Sequence, residues 1–143
     1  MGRINLKRVV IGGILAGVIF FIGDGIVHGA LLSGRWAAQM AALGKSGGGD
    51  IGQRGFAYFL CYDLLKGWLA VALYAAMRPR FGAGPTTALL AGLLVWALVI
   101  PVPMIGLLPM EFFSAGLVIL WAVYALVPMI LGTVAGAWLY REA

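Results

Sequence analysis

Apolar residues fall along this chain in four long runs separated by short polar breaks. The runs cover residues 9–32, 56–77, 87–108 and 112–140. Each reaches the ~20 residues that a helix needs to cross a bilayer core. The last is long enough to tilt or to project beyond it. A barrel would need many alternating strands, and hydrocarbon leaves no backbone group unpaired, so helices are predicted. The fold class that follows is an all-α membrane protein. Its four transmembrane helices form an up-down bundle, a single domain over residues 1–143.

The breaks have their own patterns. In the first, Trp36, Met40 and Leu43 recur at helical spacing, which predicts a short interfacial helix over residues 35–43. Ser33 is its expected N-cap and Gly44 its stop. The stretch Lys45-Ser46-Gly47-Gly48-Gly49-Asp50 then reads as a flexible linker. Gly44-Lys45-Ser46 imitates a phosphate-binding loop, but that motif needs a glycine where Gln39 stands, and a preceding strand. In the second break, Arg78-Pro79-Arg80-Phe81-Gly82-Ala83-Gly84-Pro85 reads as a turn, with Pro79 ending the second span. The third break, near Pro109, carries no basic residue.

Charge sets the orientation. With the N-terminus inside, the inner segments hold Arg3, Lys7, Arg8, Arg78, Arg80 and Arg141, and the outer ones Arg35, Lys45 and Arg54. The excess of basic residues predicts that both termini are cytoplasmic. Arg3, Lys7 and Arg8 before an apolar run imitate a signal peptide. No small-residue cleavage site follows, and apolar residues resume after Asp24, so a retained span is expected.

Composition agrees: 63% of the 143 residues are hydrophobic and only 10% charged, too much apolar surface for a water-soluble domain of this size. The net charge of +5 is not a nucleic-acid signature, because the basic residues sit at the edges of apolar runs. The expected partners are the lipid bilayer and either further copies, in a homo-oligomer, or other membrane subunits. The expected location is a bacterial inner membrane. Cys61 is the one cysteine and His28 the one histidine, so this chain alone forms no internal disulfide and no bis-histidine haem site. No particular cofactor is implied.

Candidate chemistry lies within the membrane. Asp24 and His28 fall in span one, Asp63 and Lys66 in span two. Ionisable groups at such depth are costly and turn toward protein or water. Asp24 and Asp63 each lie about two turns from the outer boundary, roughly 10–12 Å deep. Lys66 is about a turn deeper and His28 a turn shallower, so the four are expected to form one cluster. Lys66 is the natural counter-ion for Asp24, Asp63 or both. With a neutral histidine the cluster carries a formal charge of −1, which leaves room for a proton or a cation. As a metal site, His28 with Asp24 and Asp63 lacks any recognised spacing, and no metal is expected. The plainer reading is that the charges only fix helix register.

Small residues and prolines complete the picture. Gly13 and Gly17, and again Gly132 and Gly136, form faces for close helix approach within the chain or between subunits. Pro101 and Pro103 predict a kink in span three beside the charges, able to line an outward-open cavity; Pro128 predicts a kink in span four. Glu111 is either solvated or caps span four. Trp36, Tyr58, Tyr62, Trp138 and Tyr140 fit the aromatic belts at the interfaces. Trp68, Trp96 and Trp121 lie deeper, placed for ordinary packing or for a shared pocket.

The run Arg8-Val9-Val10-Ile11-Gly12-Gly13-Ile14-Leu15-Ala16-Gly17, Asp24 with His28, and Arg78-Pro79-Arg80-Phe81-Gly82 together resemble small four-span bacterial membrane proteins known only as uncharacterised families. That resemblance covers most of the chain, implies the four-span fold and carries no functional residue with it. Small multidrug transporters place a glutamate in span one, where Asp24 would have to substitute, and have no lysine on span two. Vitamin K epoxide reductase relatives need paired cysteines. The function expected is therefore a non-enzymatic structural or accessory subunit of a membrane complex. Its rivals are a proton- or cation-coupled small transporter using the Asp24, His28, Asp63 and Lys66 cluster, and a lipid or quinone enzyme with His28 as acid or base.

Overall fold

A computed structural model describes residues 4–45 and 52–142, and all the regular structure among them is helical. The segment 46–51, which holds most of the predicted linker, and residue Arg3 lie outside the described residues. Six α-helices follow in order: α1 Leu6–Ile26, α2 Ser33–Ala42, α3 Gly52–Phe81, α4 Pro85–Val99, α5 Pro101–Leu107 and α6 Ala115–Trp138. A π-helical turn, Val27–Leu31, extends α1, and a 3₁₀ turn, Leu108–Met110, follows α5. Four continuous stretches are long and apolar enough to cross a membrane: Leu6–Leu31, Gly52–Phe81, Pro85–Met110 and Ala115–Trp138.

Neighbouring spans run antiparallel, in up-down order. Gly13 meets Trp68 and Gly17 meets Leu64, so α1 and α3 oppose each other. Gly12 meets Gly136 and Ala16 meets Gly132, which does the same for α1 and α6. Gly92 packs on Thr133 and Ile130, joining α4 to α6. The interior is made of small side chains: Ala16, Ala70, Ala91, Ala125 and Thr133 are all fully enclosed. The large ones point outward, with Ile22, Leu69, Leu98, Ile119 and Leu131 all more than half exposed. Such an arrangement suits an apolar solvent. Hydrocarbon is as apolar as leucine, so helices associate through close contact rather than by hiding large side chains.

The helix ends show where local chemistry prevails. Asn5 caps α1 by accepting the Arg8 N–H at 3.2 Å, and Ser114 caps α6 by accepting that of Leu117 at 3.3 Å. Glu111, three residues before Ser114, is therefore not the cap of span four. Helix α2 begins at Ser33 itself, with Leu32 in the capping position and no side-chain cap, so Ser33 is not the N-cap. Its far end matches expectation: Gly44 N–H bonds to Ala41 O and Lys45 N–H to Met40 O, a paired C-terminal motif.

Pro79 does not end the second span. α3 continues through it to Phe81. A proline deletes one bond, here to the Ala75 carbonyl, and discourages helix at the residue before it. Ring contacts hold that residue in place: the Arg78 guanidinium lies 5.9 Å from the ring of Tyr74, one turn back on α3, and 5.3 Å from that of Tyr140, beyond α6. The true stop is Gly82 at φ +85°, followed by Gly84 at φ +142°, values that only glycine adopts without strain. Tyr140 is thereby drawn out of the predicted belt. It is 5% exposed and accepts the Asn5 N–H at 3.2 Å.

Pro101 and Pro103 break span three as expected. The helix halts at Ile100, whose ψ of −75° departs from helical geometry, and restarts with Pro101 in its first turn. Pro128 stays inside α6, its ring filling the space that a side chain at Gly23 would need.

Gly67→Ala should destabilise the bundle by about 1–3 kcal/mol, the usual cost of overpacking, because the added carbon would run into the backbone of Gly13 and Gly17. Gly25→Ala, whose added carbon meets nothing within 4 Å, should be neutral or slightly stabilising. Thermal unfolding of both variants in one detergent provides the comparison.

Candidate functional site

The α1–α3 seam positions the charged residues. Gly13, Gly17 and Gly67 let the two backbones touch, and the helices leave that contact with Asp24 and Lys66 facing each other. Asp63 lies three residues before Lys66, on the same helical face. The Lys66 ammonium sits between both carboxylates. It donates to Asp24 Oδ2 at 2.7 Å and stands 2.6 Å from Asp63 Oδ1. The second contact is an ion pair without hydrogen-bond alignment, since Asp63 Oδ1 has no hydrogen-bond partner. Two rings flank the same ammonium, Tyr62 at 4.6 Å from its centroid and Phe20 at 5.8 Å.

Burial makes these charges consequential. The side chains of Lys66 and Asp63 are 3% and 1% exposed, and that of Asp24 is 16% exposed. Asp24 Oδ1 is enclosed and accepts no hydrogen bond among the described residues. One ammonium thus answers two carboxylates, with one acceptor to spare. Removing one partner from such a group usually costs 3–5 kcal/mol, because the remaining charge stays buried and unpaired. Replacing the whole group with neutral side chains is often harmless.

Among the described residues His28 makes no hydrogen bond or ion pair with these three, though it lies within reach of the charges of Asp24 and Lys66. It occupies the π turn, where Leu32 N–H reaches back five residues to Val27 O at 2.9 Å. The imidazole packs instead among aromatic rings, 5.4 Å from Trp36 of α2 and 5.4 Å from Trp121 of α6. Trp36 also meets Phe113 and Trp121 edge-on. The indole nitrogens of Trp36 and Trp121 are enclosed without an acceptor. Among the described residues no three His, Cys, Asp or Glu side chains converge as a metal site would require.

The remaining candidates separate by place. Gly132 and Gly136 meet α1 of this same chain, against Ala16, Phe20 and Gly12. Pro101 and Pro103 stand at the break in span three, while the two cavities beside α2 are lined by other residues. Trp68 donates to Val10 O at 3.3 Å, and Trp96 to Ala122 O at 2.8 Å. Tyr62, assigned above to the aromatic belt, contributes its face to Lys66. Its position one turn before the lysine on α3 was the available signal. Gly67 escaped notice because it has no glycine partner on its own helix; its partners are across the seam. Arg78 forms a second, half-buried cationic centre, over the rings of Tyr74 and Tyr140 and 3.8 Å from Glu142.

Lys66→Met should destabilise the folded bundle by about 3–5 kcal/mol by leaving two carboxylates together without a cation. Adding Asp24→Asn and Asp63→Asn to that variant should restore most of the loss. Unfolding titrations in mixed micelles would measure both steps, and additive rather than compensating effects would refute the coupling.

No protein-family model, no curated protein and no solved structure matches this chain.

Proposed function

We propose that this chain is a non-enzymatic subunit of a membrane assembly, seated in a bacterial inner membrane with both termini in the cytoplasm. Orientation is supported by charge. Lys7, Arg8, Arg78, Arg80 and Arg141 all belong to the end of the bundle where Asn5, Arg78 and Tyr140 meet. Basic residues favour the cytoplasmic side, and there they face anionic headgroups. In this orientation α2 lies at the outer interface.

The observation that carries the subunit reading is an unused glycine face. Gly12, Gly13, Gly17, Gly23, Gly67, Gly132 and Gly136 are each closed by another helix of the chain. Gly25 and Gly29 have the same four-residue spacing, yet a methyl group on either would meet nothing within 4 Å. Ile22 and Ile26 stand exposed beside them at 58% and 54%. Close-packing faces in membranes mark helix–helix contacts, and this one has no partner among the described residues. Asp24 borders it, its Oδ1 enclosed and accepting no hydrogen bond among the described residues.

A second reading is favoured by that oxygen. Two carboxylates around one ammonium, one of them 16% exposed, suit a proton- or cation-coupled transporter. Gly29→Leu separates the two. For a subunit, native mass spectrometry of the gently extracted variant should show loss of the bound partner chain while its melting temperature holds. A transporter should instead drive proton or sodium flux in liposomes from the purified chain, and lose it in a folded Asp24→Asn variant. Recovery of the wild-type chain as a lone monomer from its own membrane would count against the subunit reading.

A further inference from the structure

The end of the bundle beyond the charged triad is built around a tie between α2 and α6. The Ser114 N–H donates to Gln39 Oε1 at 3.1 Å, while Trp36 packs against Phe113 and Trp121. The surface is hollow on either side of that tie. One cavity of about 330 Å³ is lined by Gln39, Leu108, Glu111, Phe113, Ser114 and Ala115. The other, about 270 Å³, includes Arg35, Gln39, Ser114 and Leu117 in its wall. Gln39 and Ser114 belong to both, so the cavities adjoin.

Each cavity contributes one charge, and the charges are opposite. Glu111 and Arg35 are both exposed, and neither side chain has an ion-pair or hydrogen-bond partner among the described residues. Glu111 is also the one described residue other than glycine with positive φ, +57°. Side chains other than those of glycine, asparagine and aspartate seldom adopt that conformation, and such strain tends to persist where a site needs it. Phe113 adds an aromatic wall beside the carboxylate, suited to an alkylammonium. Leu108 and Leu117 supply apolar walls. Outside, Ile105, Met110 and Phe112 are exposed at 66%, 59% and 50%, facing what would be the acyl region.

We propose that the two cavities together seat the headgroup of a zwitterionic phospholipid, its phosphate at Arg35 and its ammonium at Glu111. A purely anionic headgroup would meet repulsion from Glu111, and a simple cation would meet it from Arg35. The combined space lies in the range of small-molecule sites. A soluble aminoalkyl phosphate shares this chemistry, but the apolar rim favours a lipid. The inference rests on the membrane placement proposed above, with α2 at headgroup depth.

The test uses the full chain in detergent, titrated with phosphatidylethanolamine, phosphatidylglycerol or free phosphoethanolamine and read by native mass spectrometry. Phosphatidylethanolamine should be retained roughly three- to tenfold better than phosphatidylglycerol, the scale of one partly exposed charge contact. Arg35→Gln should weaken retention of both lipids. Glu111→Gly should abolish the preference while leaving the melting temperature unchanged or raised, because glycine relieves the positive φ. A merely structural Glu111 would leave lipid preference unmoved. Equal retention of the two lipids overturns the proposal, as does displacement of lipid by an equal concentration of phosphoethanolamine. A nitroxide at Ala41→Cys, in a Cys61→Ser background, reports the placement in vesicles. A label at headgroup depth without lipid preference refutes the lipid site alone. A label in bulk water refutes the placement and the site with it.

Discussion

Lys66 must find its anions inside the protein, and the rest of the first hairpin is arranged around that need. In hydrocarbon an ammonium has no water to turn to. The glycine seam of α1 and α3 brings Asp24 close enough, and the helical repeat of α3 brings Asp63. The rings of Phe20 and Tyr62 fill the space that water would otherwise take. Charge and close packing therefore act as one device. The seam alone would allow the helices to slide, and the charge alone would tolerate a wider gap.

The same economy of volume runs through the bundle. Ala16, Gly132 and Gly136 let α6 lie against α1, and Gly92 lets α4 lie against α6. Bulk is kept on the outside, where leucine and isoleucine meet a solvent of their own kind. At the α2 end four partly buried rings, His28, Trp36, Phe113 and Trp121, crowd together. There the helices are spaced by rings and the surface is hollow beside Gln39 and Ser114.

Much of this was legible in the amino-acid order because it depends on one-dimensional quantities. Length and hydropathy give the four spans. Depth along a helix, counted at a fixed rise, is enough to bring Asp24, Asp63 and Lys66 together. The surroundings of His28 eluded the same counting, because its ring meets Trp36 and Trp121 on other helices, which no spacing within span one announces. Pro79 misled for the opposite reason. A sound local rule was overridden where Tyr140 meets Arg78 from outside its own helix and Tyr74 meets it from one turn earlier on α3. Tyr140 and Tyr62 show the limit of belt assignments, which fix height in the bilayer but not the direction a ring faces.

The glycine seam has a mechanical corollary. Where Gly67 meets Gly13 and Gly17, and Gly136 meets Gly12, backbone stands against backbone, and added volume cannot be taken up by a change of rotamer. The end formed by α2 and α5, jointed at Ile100, is more forgiving, since a carbon added at Gly34 or Gly106 would meet nothing within 4 Å.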